Sequence, residues 1–301
     1  MNRVTLHLLY NPKSGSGRGA EVAEIASRLC RELGAELALH PVDKPPSIGA
    51  RAREAVEGAR RDGGVAAAAG GDGTIRALAH EARNTDVKVA AIPCGTFNLF
   101  AREHQIPEDP EKALRLALTG TAKPVRLAEV NGETFILNAS FGLYAKAIRE
   151  RKARTKRFGR RRIVAVLSTL KSLLDGNRAI DVELTVDGDK ERHRTHTIFV
   201  GNNELQLSEL KLKAAACFAS DRLAVFTLKE TSRLGIAKLL LHGFTKTLES
   251  ADAIESTCAE CLVVETRKRS VELALDGEMF RLDAPLVIKS LPASLLLVTP
   301  S

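Results

Sequence analysis

The stretch Val65-Ala66-Ala67-Ala68-Ala69-Gly70-Gly71-Asp72-Gly73-Thr74-Ile75-Arg76 decides how the first part of the chain folds. Five small apolar residues read as a buried strand, the three glycines as a loop, and residues 74–83 as a helix. A strand that feeds a helix through such a loop gathers backbone N–H groups at the helix N-terminus, where the dipole favours an anion. Without Cβ atoms at 70, 71 and 73, the main chain can approach phosphate oxygens closely. Asp72 adds a carboxylate able to hold Mg2+ or accept a hydroxyl proton. Thr74 adds a hydroxyl that can cap the helix or bond a phosphate. A plain strand-to-helix turn uses the same residue types, so the surroundings decide.

Outward from this loop the pattern alternates, with strands expected at 4–10, 36–40, 65–69 and 87–92 and helices at 21–33, 48–61 and 74–83. Right-handed crossovers turn that rhythm into a mainly parallel sheet with helices on both faces and ligands at the carboxyl ends of the strands. Two further polar loops follow strands in the same way. One is Asn11-Pro12-Lys13-Ser14-Gly15-Ser16-Gly17-Arg18-Gly19, which fits neither the G-x-G-x-x-G fingerprint nor the P-loop. The other is Pro93-Cys94-Gly95-Thr96-Phe97-Asn98. Beyond residue 124 the texture changes to short alternating runs, at 125–130, 134–140, 179–186, 192–200, 223–228, 261–265, 271–275 and 286–290. These are the marks of antiparallel β. Helical insertions are expected at 144–174 and 233–247, and the apolar 294–298 can pair with either domain. The expected division is an α/β nucleotide-binding domain at 1–124, to which 291–301 can return, and a β-rich domain at 125–290.

Bulk properties narrow the partners. Lys and Arg number 45 against 37 Asp and Glu, a formal charge of +8 that favours polyanions such as nucleotides or an acidic membrane. With 4% aromatics and no Trp there is little from which to build a base-stacking platform, so nucleic acid is not an expected partner. Five scattered cysteines are unlike a secreted disulfide framework, and a reducing cytoplasm is expected. Cys258-x-x-Cys261 lacks the second pair a zinc site needs and reads as two reduced thiols. No run approaches the length of a membrane span, so membrane contact is expected to be peripheral.

Asn11-Pro12-x-Ser14-Gly15, Gly70-Gly71-Asp72-Gly73-Thr74 and Pro93-x-Gly95-Thr96-x-Asn98-x-Phe100-Ala101-Arg102, with a later Asp276-Gly277-Glu278, resemble the diacylglycerol kinase catalytic family. That family includes bacterial lipid kinases and sphingosine kinases. The resemblance implies an NAD kinase-like α/β domain, a C-terminal β-sandwich and an active site in the cleft between them, where ATP meets a lipid hydroxyl such as that of diacylglycerol. Carried onto this chain, residues Gly70 to Arg76 (including Ile75) and Thr96 would bind ATP. Glu278 would be the base on the acceptor hydroxyl, with Asp72 the competing assignment. A structural Mg2+ would sit at Phe218, Asp221 and Leu223. For Asp276-Gly277 a hairpin turn is the alternative.

The chain departs from the family pattern at His40, Arg76, Leu99 and Tyr144, positions where Thr, Asn, Asp and Asp are frequent. These departures bear on the acceptor lipid and on whether activity is retained. Between Lys146 and Arg162 lie ten Lys or Arg and one acid, Glu150, a segment that can dock anionic headgroups or stand as a solvated charged face. An NAD or small-molecule kinase using the same loop, and a regulatory module that binds nucleotide or membrane without catalysis, are the alternatives to a lipid kinase. Oligomeric state stays open, a homodimer included.

Overall fold

The computed structural model describes residues 4–12, 18–42, 47–142, 179–209, 215–229 and 254–300, with 145, 148 and 212 as isolated positions. Apart from 145 and 148, the insertion expected at 144–174, with Tyr144 and its basic segment at 146–162, lies outside the described residues, as do the loop residues Ser14 and Gly15 and the insertion expected at 233–247. The chain divides into one unit of Met1–Leu127 with Leu291–Ser301 and another of Ala128–Ser290.

The first unit opens with β1 (Thr5–Tyr10), α1 (Arg18–Leu33), β2 (Glu36–Pro41), α2 (Ile48–Asp62), β3 (Val65–Gly70), α3 (Asp72–Ala82) and β4 (Lys88–Pro93). Strand β1 lies between β2 and β3, β3 pairs with β4, and all these pairings are parallel. The alanine-rich β3 is buried along its whole length, as a strand covered on both faces must be. Helix α1 buries Val22, Ala26, Leu29 and Cys30 in a stripe at helical spacing. Helix α2 starts at Ser47, whose hydroxyl accepts from Ala50 N, and stops at Gly63, which takes the left-handed conformation with φ 70°.

Two helices escape the sequence expectation. They are α4 (Leu99–Glu103), which buries Phe100, and α5 (Pro110–Thr119), which buries Ala113, Leu114 and Ala117. The signal for α5 is present in Asp109-Pro110-Glu111: Asp109 caps by accepting from Lys112 N, and Pro occupies the first turn. Helices α2 and α3 pack together, as do α1 and α5. This follows from crossover handedness: β1 to β2 moves one way along the sheet, while β2 to β3 and β3 to β4 move the other way.

In the second unit the strands are antiparallel. They include β7 (Asn138–Gly142), β8 (Ile180–Val186), β9 (Asp189–Gly201), β10 (Leu223–Lys229), β11 (Ile254–Ala259), β12 (Cys261–Thr266), β13 (Ser270–Leu275) and β14 (Glu278–Asp283). Alternate residues fill one core: Val182 and Leu184, Ile198 and Val200, Leu262 and Val264, Leu273 and Leu275. The hairpin β5 (Thr121–Val130) and β6 (Glu133–Phe135) adds Ala128, Val130 and Phe135 to it. Short helices α6 (Glu204–Glu209) and α7 (Ala215–Ala219) supply Leu207 and Cys217 to a second cluster with Phe199, Ala224 and Phe226.

Strand β15 (Leu286–Thr299) contains the last apolar segment. Residues 286–289 pair with β12 in the second unit, whereas Leu296 and Leu297 run parallel to Lys88 and Val89 of β4 in the first.

The cysteines depart from expectation. Cys258 is not a reduced partner of Cys261 but is disulfide-bonded to Cys217, with Cα atoms 5.2 Å apart, while Cys30, Cys94 and Cys261 are free. The pairing follows from α7 packing on β11 across 41 residues of sequence, a contact that local spacing does not reveal. Alkylation of the denatured chain is therefore expected to label three cysteines without reductant and all five after reduction.

His104 sets an expected pH dependence. Burial pushes its pKa down to about 4, with the Arg126 charge acting in the same direction. A ring that stays neutral when folded but titrates near 6.5 when unfolded makes the unfolded state the better proton binder between those values. Stability is thus full above about pH 6.5 and lost as pH falls toward 4. Chemical denaturation across that range is expected to show the loss, and His104→Phe to flatten it.

Candidate phosphate-binding site

Sheet order reverses at β1, so the loops after β1 and β3 diverge at the carboxyl edge of the strands and leave a crevice there. Helix α3 begins at Asp72, two residues earlier than the sequence pattern indicates, and its N-cap is Gly71, with no side-chain cap. Thr74 therefore does not cap the helix. Its side chain lies over Gly70, where an added Cβ would collide with Thr74 Oγ1. The Thr74 and Ile75 amides both donate to Gly71 O, at 2.9 and 3.2 Å, which fixes the first helical turn behind the loop.

The loop after β4 is locked against this one. Cys94 N donates to Gly70 O at 2.9 Å. A Cβ on Gly95 would stand 2.7 Å from Gly71 Cα and 2.8 Å from Asn98 Oδ1, so the two loops touch glycine to glycine. Asn98, left-handed at φ 49°, clamps its own loop: Oδ1 accepts from Gly95 N at 2.9 Å and Nδ2 donates to Gly95 O at 3.3 Å. Gly95→Ala is therefore expected to push the loops apart and to cost about 1–3 kcal/mol in urea unfolding.

Asp72 reaches across the same junction. Its Oδ2 accepts from Leu99 N at 3.3 Å and its Oδ1 from Phe100 N at 3.1 Å, so the carboxylate sits at the N-terminus of α4. Burial raises its pKa, and the amides of Phe100 and Leu99 and the charge of Arg102 oppose that rise. Arg102 is exposed on α4, and exposed Arg18 at the start of α1 acts electrostatically on buried Cys94. The loop edge thus carries two guanidinium groups as well as helix-terminal amides. Sequence reading did not single out Arg18 as a site residue, although its place at a helix start after β1 is the available signal.

The remaining candidates are placed as follows. Asn11 is half-buried just past β1, Thr96 is exposed, and Arg76 is buried on α3. His40, on β2, bonds through Nε2 to His7 Nδ1 at 3.2 Å, and His7 Nε2 lies 2.9 Å from Asp62 Oδ2. Burial lowers the His40 pKa, with His7 adding to the effect.

In the second unit, Asp276 and Gly277 both have positive φ, 49° and 78°, between paired Leu275 and Glu278. That is the two-residue hairpin turn. The Asp276 carboxylate accepts from the amides of Ile136, Leu137 and Asn138 at 2.9, 2.8 and 3.0 Å. Asp276→Ala would leave three amides without an acceptor and is expected to cost about 3 kcal/mol in urea unfolding. Glu278 follows directly and is exposed at the start of β14.

Phe218 is in α7, Leu223 opens β10, and Asp221 lies on the tight turn between them. There Asp221 N donates to Phe218 O, Ser290 Oγ donates to Asp221 O, and the Asp221 backbone is left-handed. One exposed carboxylate with main-chain carbonyls is a hard-oxygen donor set, which fits Mg2+ completed by water. Among the described residues no group of three or more His, Cys, Asp or Glu is placed to hold a metal, and none of their helices is long and apolar enough to cross a membrane.

Residues 5–130 match the diacylglycerol kinase catalytic domain. Among similar proteins are the "Probable lipid kinase YegS-like" of Cronobacter sakazakii, 33% identical over 47% of this chain and 46% of that one, and its namesake in Pseudomonas aeruginosa, 39% identical over 44% and 43%. The diacylglycerol kinase of Bacillus subtilis is 34% identical over 45% of each chain. The chain spans about half the length of these curated relatives in the match. A crystal structure of a diacylglycerol kinase from Bacillus anthracis shares the fold, with a TM-score of 0.73 and 24% identity over 99% of this chain and 97% of that one. Residues 5–130, which carry the interlocked loops after β3 and β4, are thus the part of the chain that is similar to a diacylglycerol kinase catalytic domain.

Proposed function

We propose that the protein is an ATP-dependent lipid kinase that transfers the γ-phosphate of ATP to the hydroxyl of a diacylglycerol-like lipid and requires Mg2+. The observation that carries this is the Asp72 carboxylate bound to the Leu99 and Phe100 amides, which joins two glycine loops into one wall. Phosphoryl transfer asks a protein mainly for positioning and charge neutralisation, and that wall supplies backbone amides, a helix N-terminus and nearby arginines.

In this scheme Gly70, Gly71, Gly73, Thr74, Ile75, Arg76, Gly95 and Thr96, with Asn11, Ser14 and Gly15, hold the nucleotide. Asn98 and Asp72 keep the loops in register. Glu278 accepts the proton of the acceptor hydroxyl. It is exposed, on a turn held rigid by Asp276. Phe218, Asp221 and Leu223 would hold a structural Mg2+. Magnesium bound with ATP neutralises charge on the transferred group. Arg18 and Arg102 add positive charge at the loop edge.

The test is incubation of the purified chain with γ-labelled ATP and Mg2+ in the presence of mixed-micelle lipids and of NAD as competing acceptors. Label in the lipid fraction is the expected result. Label in NAD instead would assign the loop to a small-molecule kinase. Nucleotide binding with no label in either would assign the chain a regulatory role.

A further inference from the structure

Phe97 stands at the tip of the loop that carries Thr96 and Asn98 and is 64% exposed, the one exposed phenylalanine among the described residues. It is held outward by a loop with little freedom. Asn98 beside it is buried and clamped to Gly95 through both side-chain polar atoms, and Gly95 is wedged against Gly71. A ring fixed in water in this way forgoes the favourable transfer that Phe100, three residues on, obtains at 1% exposure.

Other exposed large apolar side chains share this side of the unit. Ile48 begins α2 immediately beyond the carboxyl edge of the parallel sheet, and Leu39 lies near the end of β2. Cations belong to the same edge: exposed Arg18 acts on Cys94, three residues before Phe97, and exposed Arg102 on Asp72. An apolar ring beside guanidinium groups matches the boundary between hydrocarbon and anionic headgroups, where an aromatic ring enters the lipid and the cations stay with the phosphates.

We propose that Phe97 is a lipid-surface anchor, inserting into an anionic bilayer or micelle and so holding the phosphate loops at the interface where a lipid acceptor is presented. The proposal deepens the lipid-kinase reading and rests on it for its purpose, but the insertion itself is measurable without turnover.

The chain contains no tryptophan, so Phe97→Trp places the sole tryptophan, excited selectively at its red edge, at the tip. With vesicles of equal parts phosphatidylcholine and phosphatidylglycerol, its emission is expected to shift to the blue and become shielded from iodide. Phe97→Ser is expected to weaken flotation of the full chain with the same vesicles about tenfold, with unchanged thermal melting because the ring packs on little. It is also expected to raise the apparent KM for micellar diacylglycerol while leaving kcat and ATP affinity in place. Emission that ignores vesicles, or that shifts on adding ATP alone, overturns the proposal; in the second case the ring serves the nucleotide. Insertion without lipid phosphorylation would sink the kinase reading and leave the anchor standing. Phosphorylation with no insertion would do the reverse.

Discussion

Asp72→Ala is expected to destabilise the first unit by about 2–4 kcal/mol, because the amides of Leu99 and Phe100 lose a charged acceptor in a half-buried place. Loss of kinase activity should exceed what the stability change explains. The carboxylate is one of the ties between the loops after β3 and β4, beside the Cys94–Gly70 backbone bond. Without it, Thr96 and the start of α4 are held less firmly against Gly70–Thr74, and misplacement of reacting groups by about an ångström costs about a hundredfold. Asp72→Asn retains one acceptor oxygen and presents an NH2 group to the second amide, so it should fall between wild type and alanine in both measurements. Urea unfolding and kcat/KM, measured on all three proteins, check this. Equal stability for the three would mean that this tie contributes nothing.

Glu278→Gln is expected to behave in the opposite manner. Glu278 is exposed on β14, so its neutral isostere should leave the unfolding free energy within about 0.5 kcal/mol of wild type. ATP affinity should also be unchanged, since the nucleotide is assigned to the other unit. If the carboxylate takes the acceptor proton, kcat should fall about 10²–10⁴-fold. A large drop in ATP affinity with kcat retained would move Glu278 from base to nucleotide ligand and return the catalytic role to Asp72.

The contrast between these two acids shows what the sequence alone discloses. That Gly70–Thr74 is a loop before a helix, and that the loops at 11–19 and 93–98 follow parallel strands, is legible because glycine, small-residue strands and helical spacing act locally. The antiparallel texture of the second unit is legible for the same reason: Leu262 and Val264, or Leu273 and Leu275, alternate because one face of each strand is core. Strands β11 and β14 carry weaker patterns and escaped notice. Among the described residues each pairs with a single neighbour, and each exposes much of its length, so little apolar alternation is needed.

What joins distant residues is not legible. The target of Asp72 lies 27 and 28 residues away and is a pair of backbone amides, which leave no side-chain signature. The three amides that hold Asp276 are about 140 residues distant and equally silent. Cys258 has a cysteine three residues away but bonds one 41 residues away, since α7 rather than the neighbouring turn lies against it. Residue types and loop positions therefore disclose the candidate site, whereas division of labour among its acids emerges only from tertiary contacts.

The most direct measurement is transfer of label from γ-labelled ATP to micellar diacylglycerol by wild type, Asp72→Ala and Glu278→Gln, with ATP binding followed in parallel. The account predicts labelled lipid with wild type, label reduced at least about a hundredfold with either variant, and ATP binding retained by Glu278→Gln. Absence of labelled lipid with wild type, or labelling unaffected by both substitutions, would contradict it.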